Sequence, residues 1–171
     1  MTVGQSAEPP HTAEVLPTIP IGSHQVTRLI AGWNPIGGYS YLGPTMDRHM
    51  REYFTVDRTV EFLAECEARG INAHQFDPTE EMVAVLRRRR ESGSRMNFIC
   101  LHAIGSRHGD EKTVIARTSP MALAHHGGVT DRLFREGKAG QVHDYVKRAH
   151  DLGVLAGVSA HNPNNLKQIA D

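Results

Sequence analysis

Apolar positions in this chain alternate between helical and strand spacing. In VDRTVEFLAECEARG, Val56, Val60, Leu63 and Ala64 recur on one helical face, and Gly70 supplies the stop. GQVHDYVKRAHDLG repeats the pattern with Val142, Tyr145, Val146, Ala149 and Leu152, ending at Gly153. DPTEEMVAVLRRRRESG predicts another helix, with Asp77 as its cap, Pro78 in the first helical position and Glu80 where a capping-box acid belongs. Between these stretches lie short, nearly continuous apolar runs, INAHQF, MNFICLHAI, SPMALAHH and VLAGVSAH, each of strand length. TIPIGSHQVTRLIAG predicts a hairpin around Gly22-Ser23 that leads into a buried strand from Val26 to Ala31. SRHGDEKTVIARTS reads as a polar connection with one helical turn, and Asn162-Pro163 opens a further helix carrying Leu166 and Ile169.

Strand followed by helix, repeated, predicts a parallel sheet covered by helices. The pattern gives five strands, and a TIM (β/α)8 barrel needs about 250 residues. The 171 residues are therefore expected to hold the first five strands of such a barrel, as a partial barrel domain over 18–171. Residues 1–17 lack apolar periodicity and carry Pro9, Pro10 and Pro17, so a disordered N-terminal arm is expected there.

Charge narrows the function classes. Nineteen Lys plus Arg balance nineteen Asp plus Glu, which argues against a nucleic-acid binder working through a net basic surface. The run Arg87 to Arg90 falls in a last helical turn, where cations suit the helix dipole, and reads as a solvated helix end. No apolar run reaches the ~18 residues of a membrane span and no leader pattern opens the chain, so a cytoplasmic protein with no membrane partner is expected. Cys66 and Cys100 do not make a disulfide framework.

Histidine stands out, with eleven in the chain. In parallel α/β folds, sites gather at the C-terminal ends of strands. His74, His102, His125, His126 and His161 all fall at predicted strand ends, which places imidazole on one rim from four consecutive strands. His49 and His108 lie in loops near that rim. Neutral imidazole serves as a metal ligand or as general acid or base. One expectation is therefore a divalent metal, Zn, Mn or Fe, held by His74, His102, His125 and His161 with a carboxylate such as Asp77 or Asp131. Gly32, Gly37-Gly38, Gly43 and Gly127-Gly128 cluster near the same ends without forming a phosphate loop, and Trp33, Tyr39 and Tyr41 could wall a pocket.

The hairpin and first strand IGSHQVTRLIAGWNPIGG, the segment EFLAECEARGINAHQFD and the long stretch MALAHHGGVTDRLFREGKAGQVHDYVKRAHDLGVLAGVSAHNP together resemble the aldo-keto reductase superfamily from Thr18 onward. The resemblance implies an NADP(H)-dependent barrel oxidoreductase acting on a carbonyl or sugar-like small molecule. Its catalytic His matches His126, or His125 one position earlier, and its nicotinamide-binding Ser matches Ser159, followed by Ala160 where the family has Asn. Gln75 stands at the place of the catalytic Asp and His102 at that of the Lys, and no Tyr follows the second strand. His126, His102, His74 and Gln75 are the expected catalytic residues of a non-standard site, and Ser159, Gly32 and Trp33 the expected cofactor contacts. Two other classes are a metal-dependent isomerase, lyase or hydrolase using the strand-end histidines, and a non-catalytic half-barrel that self-associates to cover its sheet edges.

Overall fold

A computed structural model describes residues 16–170, so the expected arm lies outside the described residues apart from Leu16 and Pro17. The chain starts as an antiparallel hairpin of β1 (Thr18–Ile21) and β2 (His24–Thr27). Gly22 turns it with φ 58°, and a Cβ there would meet Leu155 at 2.8 Å, so the position needs glycine on both counts. β2 stops well short of the predicted strand. The Thr27 hydroxyl donates to the Leu29 carbonyl and Arg28 N–H donates back to the Pro17 carbonyl, which turns the backbone away and leaves Leu29 and Ile30 exposed. Only Ala31 rejoins a sheet, as a single parallel bridge to His74.

Two short helices follow, α1 (Asn34–Gly37) and α2 (Pro44–Tyr53), neither foreseen from the pattern. From there strand and helix alternate: α3 (Val56–Ala68), β3 (Ala73–Phe76), α4 (Glu80–Glu91), β4 (Asn97–His102), α5 (Glu111–Thr118), β5 (Ala122–His125), α6 (Gly127–Arg135), α7 (Gly140–Asp151), β6 (Leu155–Val158) and α8 (Pro163–Ala170). The supposed polar connection after β4 is a true helix, because the Asp110 side chain accepts from Thr113 N–H at 2.8 Å and caps it.

The fold is α/β but not the expected barrel. The four strands β3-β4-β5-β6 pair in parallel and in sequential order as an open sheet, with the hairpin a separate two-stranded sheet. That makes six strands among the described residues, against the eight that close a (β/α)8 barrel. The hairpin contributes no full strand beside β3, and β6 has no neighbour on its outer side among the described residues.

Parallel register sorts the side chains into two faces. His74 pairs with Phe98, Phe76 with Cys100, Cys100 with Leu123 and His102 with His125, so all of these stand on one face. That face is buried beneath the helices and forms the core with Leu63, Met82, Val85, Leu86, Val114 and Tyr145. On the opposite face Gln75, Ile99, Leu101 and Ala124 are only half-buried. The hairpin braces the sheet's N-terminal end through a 3.0 Å bond between His24 Nδ1 and Asn97 Oδ1.

Three of the four arginines closing α4 make specific contacts rather than being simply solvated. Arg88 pairs with Asp57 and buried Arg89 with Glu67, while Arg90 donates to the Thr118 and Ser119 carbonyls at 2.5 and 3.0 Å. Only Arg87 has no close partner, its Glu91 carboxylate being 3.9 Å away. Among the described residues no helix is long and apolar enough to cross a membrane.

Burial holds the fully enclosed His74 imidazole down at about 4, the hydrogen bond to Ala31 opposing this only in part. Between that value and the ordinary 6.5, an unfolded chain takes up a proton that the folded one refuses. Stability is therefore complete above pH 6.5, falls as pH drops toward 4, and levels off below that, with roughly 3 kcal/mol at stake for this residue. Urea midpoints measured from pH 7 to pH 4 are expected to fall in the wild type and to fall less in His74→Phe; a flat profile contradicts the account.

Candidate functional site

Three of the expected rim histidines point the other way. His74, His102 and His125 lie on the helix-covered face of the sheet, at most 4 % exposed. Each Nδ1 is engaged: His74 donates to the Ala31 carbonyl at 2.9 Å, His102 accepts from the Tyr145 hydroxyl at 3.2 Å, and His125 meets the Thr130 hydroxyl at 2.7 Å. His102 Nε2 donates to the Gly109 carbonyl at 3.0 Å, which leaves Tyr145 as the donor on the other side of the ring. The ring of Tyr145 stacks on His102 and takes His125 edge-on, with centroids 5.8 and 4.7 Å apart. Burial, aided by the charges of His102 and His126, brings His125 down to about 4, and burial also pushes the Tyr145 and Cys100 groups far up. Burial thus disfavours the charged forms of His125, Tyr145 and Cys100.

The expected metal set is therefore not assembled. His161 stands beyond β6, apart from the three buried rings, and no group of three His, Cys, Asp or Glu able to hold a metal occurs among the described residues. The donors present do not fit a divalent ion. The expected catalytic residues divide in the same way. His102 and His74 are in the core, Gln75 is half-buried on the opposite face, and His126 alone stands exposed at a strand end. Gly32 and Trp33 follow the bridge beside β3, whereas Ser159 follows β6 at the far edge, with its N–H donating to the His125 carbonyl. β3, β4 and β5 thus lie between the strand end that carries Gly32 and Trp33 and the one that carries Ser159.

What gathers at the C-terminal ends of β3, β4 and β5 is a different set: Asp77, Arg107, His108 and His126. Asp77 was expected to cap α4, but the Thr79 hydroxyl does so, accepting from Met82 N–H at 3.2 Å, and the helix begins at Glu80. Asp77 is thereby released. Its carboxyl is raised above the usual range by burial, against which His126, His108, the Trp33 indole and Arg107 each favour the charged form. The Trp33 N–H exerts that pull without closing a hydrogen bond: Nε1 is buried and has no partner. A cavity of about 240 Å³ opens here, lined by Asp77, His108, His126, Leu101, Val129 and Arg132 among others.

Hydrogen bonds settle two tautomers. At the start of α6, Gly128 N–H donates to His126 Nδ1 at 3.2 Å, so the neutral ring carries its proton on Nε2. Arg107 Nε donates to His108 Nε2 at 3.2 Å, so that ring carries its proton on Nδ1. Burial, followed by the Arg107 charge, lowers the His108 pKa. The cavity thus presents one reluctant carboxylate and imidazole N–H groups of known position. Arg107 could have been suspected from its loop, SRHGD, directly after an apolar strand; His108 was already placed near the rim, and Asp77 was read both as a cap and as a carboxylate for a metal.

The chain matches no family model, no curated protein and no solved structure.

A second cluster surrounds Asp131 on α6. Its carboxylate accepts from His161 N–H at 2.8 Å, from His161 Nδ1 at 2.9 Å, from Asn165 Nδ2 at 2.8 Å and from Asn162 N–H at 3.4 Å. Burial pushes this carboxyl up, yet the hydrogen bonds outweigh it and hold the group down at about 2. Asp131 thus fastens the β6–α8 loop and the first turn of α8 to α6. Replacing it orphans four donors, so Asp131→Ala is expected to cost roughly 2–4 kcal/mol. Thermal unfolding together with amide exchange across residues 159–170 checks this, with α8 expected to lose protection first.

Proposed function

We propose that the chain is an acid–base enzyme working on a small hydroxy-carbonyl molecule at the C-terminal ends of β3, β4 and β5. The observation that carries this reading is Asp77: a carboxyl raised by burial, beside a cavity and within reach of the charges of His126 and His108. A carboxyl tuned toward neutrality suits proton transfer near physiological pH, because the ideal catalytic pKa lies near the working pH. Clefts that shift a titratable group through burial and specific charge partners are common at functional sites.

In the proposed reaction Asp77 takes a proton from the carbon next to the substrate carbonyl. His126 Nε2–H donates a hydrogen bond to the carbonyl oxygen and stabilises the negative charge that gathers there. The proton then returns from Asp77 to the same or the neighbouring carbon, and electrons and protons balance without a further reactant. His108 keeps its Nδ1–H for a second substrate oxygen, since Nε2 is engaged by Arg107.

The test follows exchange rather than turnover. Dihydroxyacetone and hydroxyacetone are incubated with the protein in D2O, and loss of the C–H signals is followed by proton NMR. Wild type is expected to accelerate the exchange, with Asp77→Asn and His126→Gln each slowing it by about a hundredfold or more. Equal rates for wild type and Asp77→Asn on both compounds would discard the reading.

A further inference from the structure

A second cavity adjoins the Asp77 site. It measures about 270 Å³ and is walled on one side by Trp33, Tyr39 and Phe54, on the other by Val56, Met82 and Val85, between α1, α3 and α4. Trp33 and Arg107 belong to both places: each lines this cavity, and each acts on the Asp77 carboxyl. The linings of the two cavities have no residue in common, so it is Trp33 and Arg107, on the wall of one and acting on the carboxyl of the other, that relate them.

Its chemistry has a definite character. Two guanidinium groups, Arg51 and Arg107, line it against a single carboxylate, Glu81, so its charge favours an anion. Both arginines are already oriented, Arg51 by the Gly38 carbonyl at 3.3 Å and Arg107 by His108 at 3.2 Å. The Trp33 indole is only 9 % exposed and its N–H has no partner, an uncommon condition for a buried donor. Space is kept open at that nitrogen by Gly37, where a Cβ would fall 2.5 Å from Nε1. An aromatic wall, a buried N–H without a full hydrogen bond and two cations describe a site for a flat apolar group that carries an acid.

We propose that this cavity is the specificity pocket of the Asp77 site and receives the apolar, preferably aromatic, anionic end of the substrate. The proposal rests on the acid–base reading for its location. It narrows the substrate from any hydroxy-carbonyl compound to one bearing an aryl or short alkyl group and a carboxylate or similar acid. Arg107 and Arg51 neutralise that acid, and the Trp33 N–H bonds an oxygen of it.

Trp33 is the only tryptophan in the chain, so its emission reports the wall of this pocket and its Asp77 side. The probes are phenylacetate and its neutral counterpart phenylacetamide, titrated into the full chain. Phenylacetate is expected to change Trp33 emission saturably and to bind about tenfold tighter than the amide. Arg107→Gln, at an exposed position, is expected to remove that preference, and Val56→Phe, which fills the cavity, to abolish binding of both. Equal affinity for acid and amide, no change in emission up to about 100 mM, or unimpaired binding in a folded Val56→Phe variant each overturns the proposal. Asp77→Asn separates the two readings: it is expected to lose isotope exchange while keeping the phenylacetate titration, so exchange can fail with the pocket intact and the pocket can fail with exchange intact.

Discussion

Imidazole packed under the helices is the constraint on which the arrangement depends. His102 and His125 are register neighbours on β4 and β5, and both rest against Tyr145 of α7. Burial holds His125 down at about 4, and polar rings buried this deeply need hydrogen-bond partners. The partners come from separate elements: Tyr145 from α7, the Gly109 carbonyl from the β4–α5 loop and Thr130 from α6. These contacts, with His125 Nε2 left buried and unpartnered, tie α6, α7 and one C-terminal loop to the sheet. That same loop carries Arg107 and His108 to Asp77.

The helix stripes and the strand runs were legible because period alone specifies them. α3 and α7 show an apolar face that no strand could present, and the four parallel strands occur inside the apolar runs. The facing of each strand was not legible. His74, His102 and His125 have the same residue type and strand-end position as a rim ligand, and only register with Phe98, Cys100 and Leu123 shows that they share the core face. Alternation says that neighbours face opposite ways but not which way is outward. Sheet closure was illegible for a related reason: a parallel strand in an open sheet and one in a barrel have the same local text, and the bend at Thr27–Ala31 depends on hydrogen bonds to the distant Pro17 and Ala73. α6 was missed because GGVTDRLFR opens on two glycines, the poorest starters by propensity, and a histidine ring supplies its cap.

Competition for a helix cap shows how local structure reaches function. Asp77 and Thr79 both have the chemistry to cap α4, with Pro78 between them. Thr79 holds the extended conformation that a cap requires, at φ −71° and ψ 164°, and its hydroxyl takes the orphan Met82 N–H. Had Asp77 been the cap, a backbone N–H and the helix dipole would have stabilised its charge and lowered its pKa. A two-residue shift in where α4 begins thus decides whether this carboxyl is a structural anion or a group able to exchange protons.

The contrast with Asp131 makes the same point across the sheet. Both carboxylates stand near the C-terminal ends of the parallel strands, and burial alone would raise both. Asp131 accepts four hydrogen bonds and stays anionic down to about pH 2, so it has no proton to exchange under ordinary conditions. Around Asp77 the Trp33 indole and the charges of His126, His108 and Arg107 favour the anion but do not outweigh burial, so its carboxyl stays raised. Environments that push two like groups apart divide their labour. Here the carboxylate held down by hydrogen bonds fastens a loop, and the one raised by burial is left to chemistry.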